Sequence, residues 1–197
     1  MADIYALCDR GLLERFGIGF EDFVAFAKHY DAKILQYRDK TASIEERQEN
    51  IKRLRKLWDG ILIINDEFAL AAYCDGVHIG QEDLANIIES FGARSKMEGI
   101  AILRGLIGKK IIGLSTHNEA EIEEANLLDI DYVGLGAYRA SSTKEVSNLL
   151  GERLGAIAAR SRHNVAAIGG VCIYDPIPNV RFKAVGTDLV IKALSYA

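Results

Sequence analysis

Short apolar segments alternate with amphipathic segments along the whole chain. The apolar segments run for four or five residues with little polar alternation, which is typical of parallel strands covered on both faces. They predict eight strands: Ile4–Cys8, Lys33–Tyr37, Ile61–Ile64, Gly76–Ile79, Lys110–Leu114, Asp131–Leu135, Val165–Ile168 and Thr187–Ile191.

The segments between these strands carry apolar residues at helical spacing. The stripes are Phe20, Phe23, Val24 and Ala27; Ile51, Leu54, Leu57 and Trp58; Leu84, Ile87, Ile88 and Phe91; and Leu150, Leu154, Ile157 and Ala158. Ser43 with Glu46, three residues later, predicts a capping box. Asn118 with Glu121 predicts another helix start.

Strands that alternate with helices imply right-handed βαβ units. Eight such units predict a single-domain (β/α)8 TIM barrel over residues 1–197. Few residues follow the eighth predicted strand, so we expect a short or missing final helix. The stretch Gly92–Lys109 carries four glycines and exceeds a simple connection between a helix and a strand.

Composition narrows the range of partners. The chain has 197 residues, 49% of them hydrophobic, and a net charge of −4, so it has no basic field for nucleic acid or an anionic membrane. Its three cysteines are scattered, and no window reaches the roughly 20 apolar residues of a membrane span. We therefore expect a cytoplasmic protein that acts on small molecules and binds neither nucleic acid nor membranes, with homo-oligomer formation left open.

Polar clusters recur where predicted strands end. They are Gln36, Arg38 and Lys40; Asn65 and Asp66; Gln81, Glu82 and Asp83; Ser115, Thr116 and His117; Ser141, Ser142, Thr143 and Lys144; and Gly169 and Gly170. Any one cluster alone is more simply a solvated loop. In a barrel, however, all six meet at the C-terminal rim, where active sites of this fold lie.

The clusters combine cations with carboxylates. Arg38, Lys40 and Lys144 suit a diphosphate or two phosphates. Asp66 and Asp83 can share a Mg²⁺ ion that also binds phosphate oxygens, although each could instead cap a helix.

Other residues of the clusters are less specific. The Gly169–Gly170 pair could let the backbone approach an anion at a helix start, or could simply form a tight turn. His117 could contact substrate or order its own loop. His78, inside the fourth predicted strand, is more simply a hydrogen-bonded core or rim residue than a base.

Five stretches together resemble the thiamine-phosphate synthase family. They are QYRDK (Gln36–Lys40), IINDEFALAAYCDGVHIGQEDL (Ile63–Leu84), GLSTHN (Gly113–Asn118), DYVGLGAYRASSTK (Asp131–Lys144) and AIGGV (Ala167–Val171). Each is weak evidence alone, but their order and spacing resemble those of the family.

The resemblance implies a reaction and a set of roles. Hydroxymethylpyrimidine diphosphate would be joined to hydroxyethylthiazole phosphate with release of pyrophosphate. The diphosphate substrate would be held by Gln36, Arg38, Lys40, Asn65, Ser115 and Lys144. Asp66 and Asp83 would bind magnesium. The loop at Ser141–Thr143, Gly170 and Ser195 would contact the thiazole phosphate.

The departures from the family pattern concern the thiazole half. The sixth loop reads Tyr-Arg-Ala-Ser-Ser-Thr-Lys, so Arg139 and Ala140 stand where the family has a stiffening proline. Ser195 is displaced by one position, and Lys192 replaces a small residue. Two alternatives therefore stay open: a non-catalytic paralogue that binds a phosphorylated ligand, and a thiazole tautomerase-type isomerase. Retention of Asn65, Asp66, Gln81 and Asp83 argues against the isomerase.

Overall fold

A computed structural model describes residues 2–140 and 149–195. In these ranges the strands are β1 Asp3–Asp9, β2 Ile34–Arg38, β3 Ile61–Asn65, β4 Gly76–Ile79, β5 Ile111–Thr116, β6 Tyr132–Leu135, β7 Asn164–Ala167 and β8 Phe182–Val185. The helices are α1 Arg10–Phe16, α2 Phe20–His29, α3 Ile44–Leu57, α4 Gln81–Phe91, α5 Lys96–Ile107, α6 Glu119–Ala125, α7 Arg153–Ala158 and α8 Thr187–Ser195. A 3-10 helix, Phe68–Tyr73, connects β3 to β4.

The strands are all parallel and close into a barrel in chain order. Closure comes from β1, which pairs with β2 on one side and with β8 on the other. The predicted TIM-barrel fold is confirmed. None of the described helices has the length and apolar character needed to cross a membrane.

Two sets of buried side chains hold the barrel. Alternate strand residues such as Leu35, Leu62 and Val77 face outward and pack against the helices. The barrel interior holds a smaller cluster that includes Tyr5 and Tyr132. Two tyrosines at the centre of a barrel introduce hydroxyl groups that need partners once buried.

Glycines make room for the ring side chains of the interior. A Cβ atom at Gly113 would lie 2.1 Å from the Tyr132 ring, and one at Gly134 would lie 2.9 Å from His78. The polar interior of the barrel therefore depends on these two strand glycines.

The predicted helix starts at Ser43 and Asn118 are confirmed. The Ser43 hydroxyl accepts from the backbone N–H of Glu46, and the Asn118 side chain accepts from that of Glu121. A full capping box would also have the Glu46 side chain accept from the backbone N–H of Ser43, and that hydrogen bond is absent from the described residues.

The eighth strand was predicted at the wrong place. Residues Thr187–Ile191 begin helix α8, and the strand is Phe182–Val185. A short apolar run does not by itself distinguish a strand from a buried helix segment. Lys183 also concealed the strand, although its buried ammonium group donates to the backbone carbonyls of Ile173 and Asp175.

Three related expectations concern the helices. The final helix is short, with nine described residues, but it is present. The stretch Gly92–Lys109 contains the extra helix α5, which packs against α4. No helix starts at Gly169–Gly170, because residues 171–181 form an irregular connection to β8.

Candidate functional site

The C-terminal ends of neighbouring strands carry most of the predicted site residues. Arg38 ends β2, Asn65 ends β3, and Ser115 lies one residue before the end of β5. Asp66 follows β3 directly, and Asp83 lies in the first turn of α4, just after β4. Since parallel strands end at the same rim, the fold brings these side chains to one mouth of the barrel.

Asp66 and Asp83 form a carboxylate pair at this mouth. Burial, followed by the charge of Asp83 and a hydrogen bond with it, raises the pKa of Asp66 to about 6. Asp66 adopts a left-handed backbone conformation with φ of 63°, which aspartate and asparagine tolerate better than most residues. Asp83 also accepts the backbone N–H of Gly80 at 3.0 Å, so its helix-capping role is real too.

The donor set at this mouth fits magnesium. The described residues contain no cluster of three or more histidine, cysteine, aspartate or glutamate side chains that could hold a metal by themselves. Magnesium commonly binds through one or two carboxylates and completes its shell with water and phosphate oxygens. A cation placed between the two carboxylates would reduce the repulsion between their negative charges.

Cations lie beside this pair. Arg38 and Lys40 both act electrostatically to lower the pKa of Asp66, against the stronger effects that raise it. Arg38 forms an ion pair with the buried Asp9, directly opposite it in the pairing of β1 and β2. Lys40 is exposed at the rim. Arg38 is therefore held in place, whereas Lys40 faces solvent.

Amide side chains line the neighbouring wall. The amide nitrogen of Gln36 donates to Asn65 Oδ1 at 2.6 Å, and the Tyr5 hydroxyl donates to Gln36 Oε1 at 2.5 Å. Gln36 is buried, while Asn65 is partly exposed. Tyr5, in the barrel interior, thus orients Gln36, and Gln36 in turn orients Asn65.

Ser115 is supported from the interior in a similar way. Its hydroxyl lies 2.9 Å from His78 Nε2, and His78 Nδ1 lies 3.0 Å from the Tyr132 hydroxyl. Burial lowers the pKa of His78 to about 4, so the imidazole is neutral near pH 7. His78 is therefore the hydrogen-bonded core residue that the sequence favours.

His117 and Gly170 have structural contacts of their own. His117 Nδ1 and its backbone N–H both lie 2.9 Å from Glu121 Oε2, so the side chain orders the start of α6. Gly170 has φ of 63°, and its carbonyl accepts from Arg139 at 3.2 Å. Arg139 also pairs with both carboxylate oxygens of Asp175, which ties the loop after β6 to the loop after β7.

Ser195 does not lie at the rim. It is in the last turn of α8, exposed, with its hydroxyl donating to the Ile191 carbonyl at 2.8 Å. The helix begins at the rim with Thr187, and eight residues at 1.5 Å each carry Ser195 about 12 Å away along the helix axis. The misplaced eighth strand caused this error. Ser141, Thr143 and Lys144 lie outside the described residues.

Three residues of the site were missed by sequence reasoning. Asp9 holds Arg38 and also caps α1 by accepting the N–H of Leu12. Tyr5 and Tyr132 connect the amide wall to His78 through a 2.8 Å contact between their hydroxyls. A signal was available, because a tyrosine inside an otherwise apolar strand requires a buried hydrogen-bond partner.

A second concave surface lies at the opposite end of the barrel. An open groove of about 990 Å³ is lined by residues that include Arg55, Asp75 and Lys110. Arg55 pairs with Asp75, and Lys110 donates to the Cys74 carbonyl. These contacts are structural, as expected at the N-terminal face of this fold.

Comparisons with known proteins identify the family of the chain. The sequence profile of a family described as thiamine monophosphate synthase matches residues 4–181. A thiamine-phosphate synthase from Persephonella marina is 34% identical over 175 residues, covering 85% of this chain and 76% of that protein. One from Nostoc punctiforme is 39% identical over 117 residues, which are 56% of this chain and 29% of that protein.

A solved structure shares the fold. A thiamine phosphate pyrophosphorylase from Pyrococcus furiosus superposes with a TM-score of 0.72, covering 98% of this chain and 96% of that one. The two sequences are 23% identical, so this likeness supports the fold.

Proposed function

Because the chain belongs to the thiamine monophosphate synthase family, we propose that it is a magnesium-dependent transferase that makes thiamine phosphate. It joins the pyrimidinylmethyl group of hydroxymethylpyrimidine diphosphate to the ring nitrogen of hydroxyethylthiazole phosphate and releases pyrophosphate. The observation that supports this best is the carboxylate pair Asp66 and Asp83 beside Arg38 and Lys40 at one mouth.

The cations and carboxylates have separate tasks. Asp66 and Asp83 would hold magnesium, which when bound supplies positive charge next to the diphosphate oxygens. Arg38, fixed by Asp9, offers a guanidinium fork to phosphate, and Lys40 adds a point charge. Lys144 is proposed as a third cation on the basis of family resemblance. These groups stabilise charge that builds on the departing pyrophosphate.

The reaction balances without a protein nucleophile. The C–O bond to the diphosphate breaks and its electron pair leaves with pyrophosphate, while the thiazole nitrogen lone pair forms the new C–N bond. The nitrogen becomes positively charged, which offsets the charge that leaves. The neutral, buried His78 agrees with a reaction that needs no strong base at this position.

The activity is tested directly with purified protein, Mg²⁺ and the two substrates. We expect thiamine phosphate and pyrophosphate in equal amounts, and their loss in Asp66→Ala and Lys144→Ala. The scale expected for removal of one preorganised charge is a decrease of about 100-fold to 1000-fold in kcat. Asp59→Ala is the matched control, because Asp59 is an exposed aspartate whose ion pair with Lys28 is on the surface.

The alternatives predict different outcomes. A well-folded protein that binds the pyrimidine diphosphate tightly without turnover would be the ligand-binding paralogue. Conversion of a thiazole substrate without any pyrimidine would indicate the isomerase. A cytoplasmic location and homo-oligomer formation remain predictions, which cell fractionation and light scattering would test.

A further inference from the structure

Six polar side chains form one continuous chain of hydrogen bonds across the barrel interior. In order they are Ser115, His78, Tyr132, Tyr5, Gln36 and Asn65, from β5, β4, β6, β1, β2 and β3. The successive distances are 2.9, 3.0, 2.8, 2.5 and 2.6 Å. The four inner members are each at most 7% exposed. We call this chain the interior relay.

The direction of the hydrogen bonds follows from the amide of Gln36. Its nitrogen donates to Asn65, so its Oε1 faces Tyr5, and a carbonyl oxygen can only accept. The single hydroxyl hydrogen of Tyr5 is therefore used on Gln36. The contact between the tyrosines must then run from Tyr132 to Tyr5.

The same reasoning fixes the histidine and the serine. Since Tyr132 donates to Tyr5, its oxygen accepts from His78, so Nδ1 of His78 carries the ring proton. His78 is 7% exposed, and its ring nitrogens contact the hydroxyls of Tyr132 and Ser115, with no carboxylate among their hydrogen-bond partners in the described residues. A buried ring without such a partner stays neutral, and so Nε2 has no hydrogen. Ser115 must therefore donate its hydroxyl hydrogen to Nε2.

We propose that Tyr5 and Tyr132 are positioning residues that give the interior relay one direction and thereby set the substrate pocket's hydrogen-bonding pattern. At one end Ser115, with its hydrogen turned inward, offers only lone pairs to a ligand. At the other end the Asn65 carbonyl is occupied, so its amide nitrogen offers hydrogens. This inference rests on the proposed function for the identity of the ligand.

The pattern matches an aminopyrimidine. An exocyclic amine can donate to Ser115, whereas a carbonyl at the same position would meet lone pairs. As the C–O bond to the diphosphate breaks, positive charge spreads onto the amine, so a hydrogen bond from it to Ser115 becomes stronger in the transition state. The relay thus supports both substrate choice and charge stabilisation.

The first test needs no substrate. Nitrogen-15 NMR of protein labelled in its histidine rings reports the tautomer of His78, which is assigned by its disappearance in His78→Gln. We expect the Nδ1–H tautomer in the wild type near pH 7. In Tyr132→Phe the Nδ1–H would lose its acceptor, so we expect the Nε2–H tautomer to appear, with Ser115 accepting from it.

Tyr37→Phe is the matched control. Tyr37 is also fully buried, but its hydroxyl contacts Asn50 of α3 and Asp39, outside the relay. It should leave the His78 spectrum unchanged. A wild-type His78 in the Nε2–H or doubly protonated form would overturn the proposal, and this holds even when Tyr132→Phe does not fold.

The second test uses binding. Hydroxymethylpyrimidine monophosphate and its analogue with an oxo group in place of the amine are compared by calorimetry. The wild type should prefer the amine, and Tyr132→Phe and Tyr5→Phe should each weaken that preference by about tenfold, the scale of one hydrogen bond. An unchanged preference in both variants contradicts the relay. If the wild type shows the expected tautomer of His78 but makes no thiamine phosphate, only the proposed function is contradicted.

Discussion

The Asp66 carboxylate belongs to the candidate site and, when ionised, lowers the stability of the folded protein. The ordinary pKa of an aspartate is 3.8, and burial together with the nearby Asp83 raises the pKa of Asp66 in the folded protein to about 6. The folded state therefore holds the proton more tightly between pH 4 and 6. Folding stability contributed by this group is lost as the pH rises through that window.

Asp66→Asn should therefore stabilise the apo protein while it abolishes magnesium-dependent activity. Asparagine tolerates the left-handed conformation at this position and carries no charge. We expect a gain of about 2 kcal/mol at pH 7 after allowance for partial solvent screening, and almost none at pH 4. Urea unfolding at both pH values, in magnesium-free buffer, measures the difference.

His78 acts in the opposite sense and makes the comparison sharper. Its folded pKa of about 4 lies below the unfolded 6.5, so stability is lost as the pH falls from 6.5 towards 4. In the wild type the two groups offset each other between pH 4 and 6. In Asp66→Asn, the free energy of unfolding should change with pH between 4 and 6 through His78 and no longer through residue 66. A variant whose free energy of unfolding runs parallel to that of the wild type at every pH would contradict this account.

At the residue scale, the sequence predicted polar residues at the rim of the barrel but not the polar residues of the barrel interior that support them. Arg38, Asn65 and Asp66 were visible because polar residues directly after apolar strands are conspicuous. Tyr5 and Tyr132 were hidden inside apolar strands, and their contact joins residues 127 positions apart. Such a pairing depends on barrel closure, which no local pattern encodes.

At the scale of elements, one strand glycine and one helix glycine have opposite roles. Gly113 of β5 lies against the Tyr132 ring, where an added Cβ would be 2.1 Å away, whereas Gly105 of α5 has open space around its Cβ position. Gly113→Ala should destabilise the protein by roughly 1–3 kcal/mol through overpacking. Gly105→Ala should stabilise it by up to about 1 kcal/mol through helix propensity.

Chemical denaturation of both variants tests this matched pair. Gly113→Ala should also displace Tyr132 and change the His78 tautomer, whereas Gly105→Ala should not. Equal effects on stability from the two substitutions would show that the tight packing around Tyr132 has been overestimated.

The elements themselves were mostly predictable, and the exceptions have physical causes. Seven strands were found within about one or two residues because continuous apolar runs mark strands covered on both faces. The eighth was missed because Lys183 interrupts it, while the apolar face of α8, with Leu189 and Val190 buried, resembled a strand. The buried ammonium group of Lys183 donates to the Ile173 carbonyl in the connection between β7 and β8, which is a tertiary contact that the local sequence does not show.

At the scale of the whole molecule, closure of the barrel assembles a site from residues far apart in sequence. Arg38, Asp66 and Asp83 come from three successive βα units and meet because parallel strands end at one rim. A ligand that bridges these units binds only the folded state. Its affinity therefore adds to the stability of the whole domain.

This linkage predicts an ordered set of thermal shifts. Mg²⁺ alone should raise Tm slightly at pH 7, because two carboxylates hold the ion weakly without phosphate oxygens. Mg²⁺ with pyrophosphate at 100 times its Kd should add about 2.7 kcal/mol, a shift of roughly 5–10 °C for a domain of this size. Excess chelator should return Tm to the apo value. Asp66→Asn should lose the combined shift, whereas Asp59→Asn, at a surface ion pair, should keep it. If pyrophosphate raised Tm equally with and without Mg²⁺, the cations alone would hold the diphosphate, and the carboxylate pair would have no part in binding it.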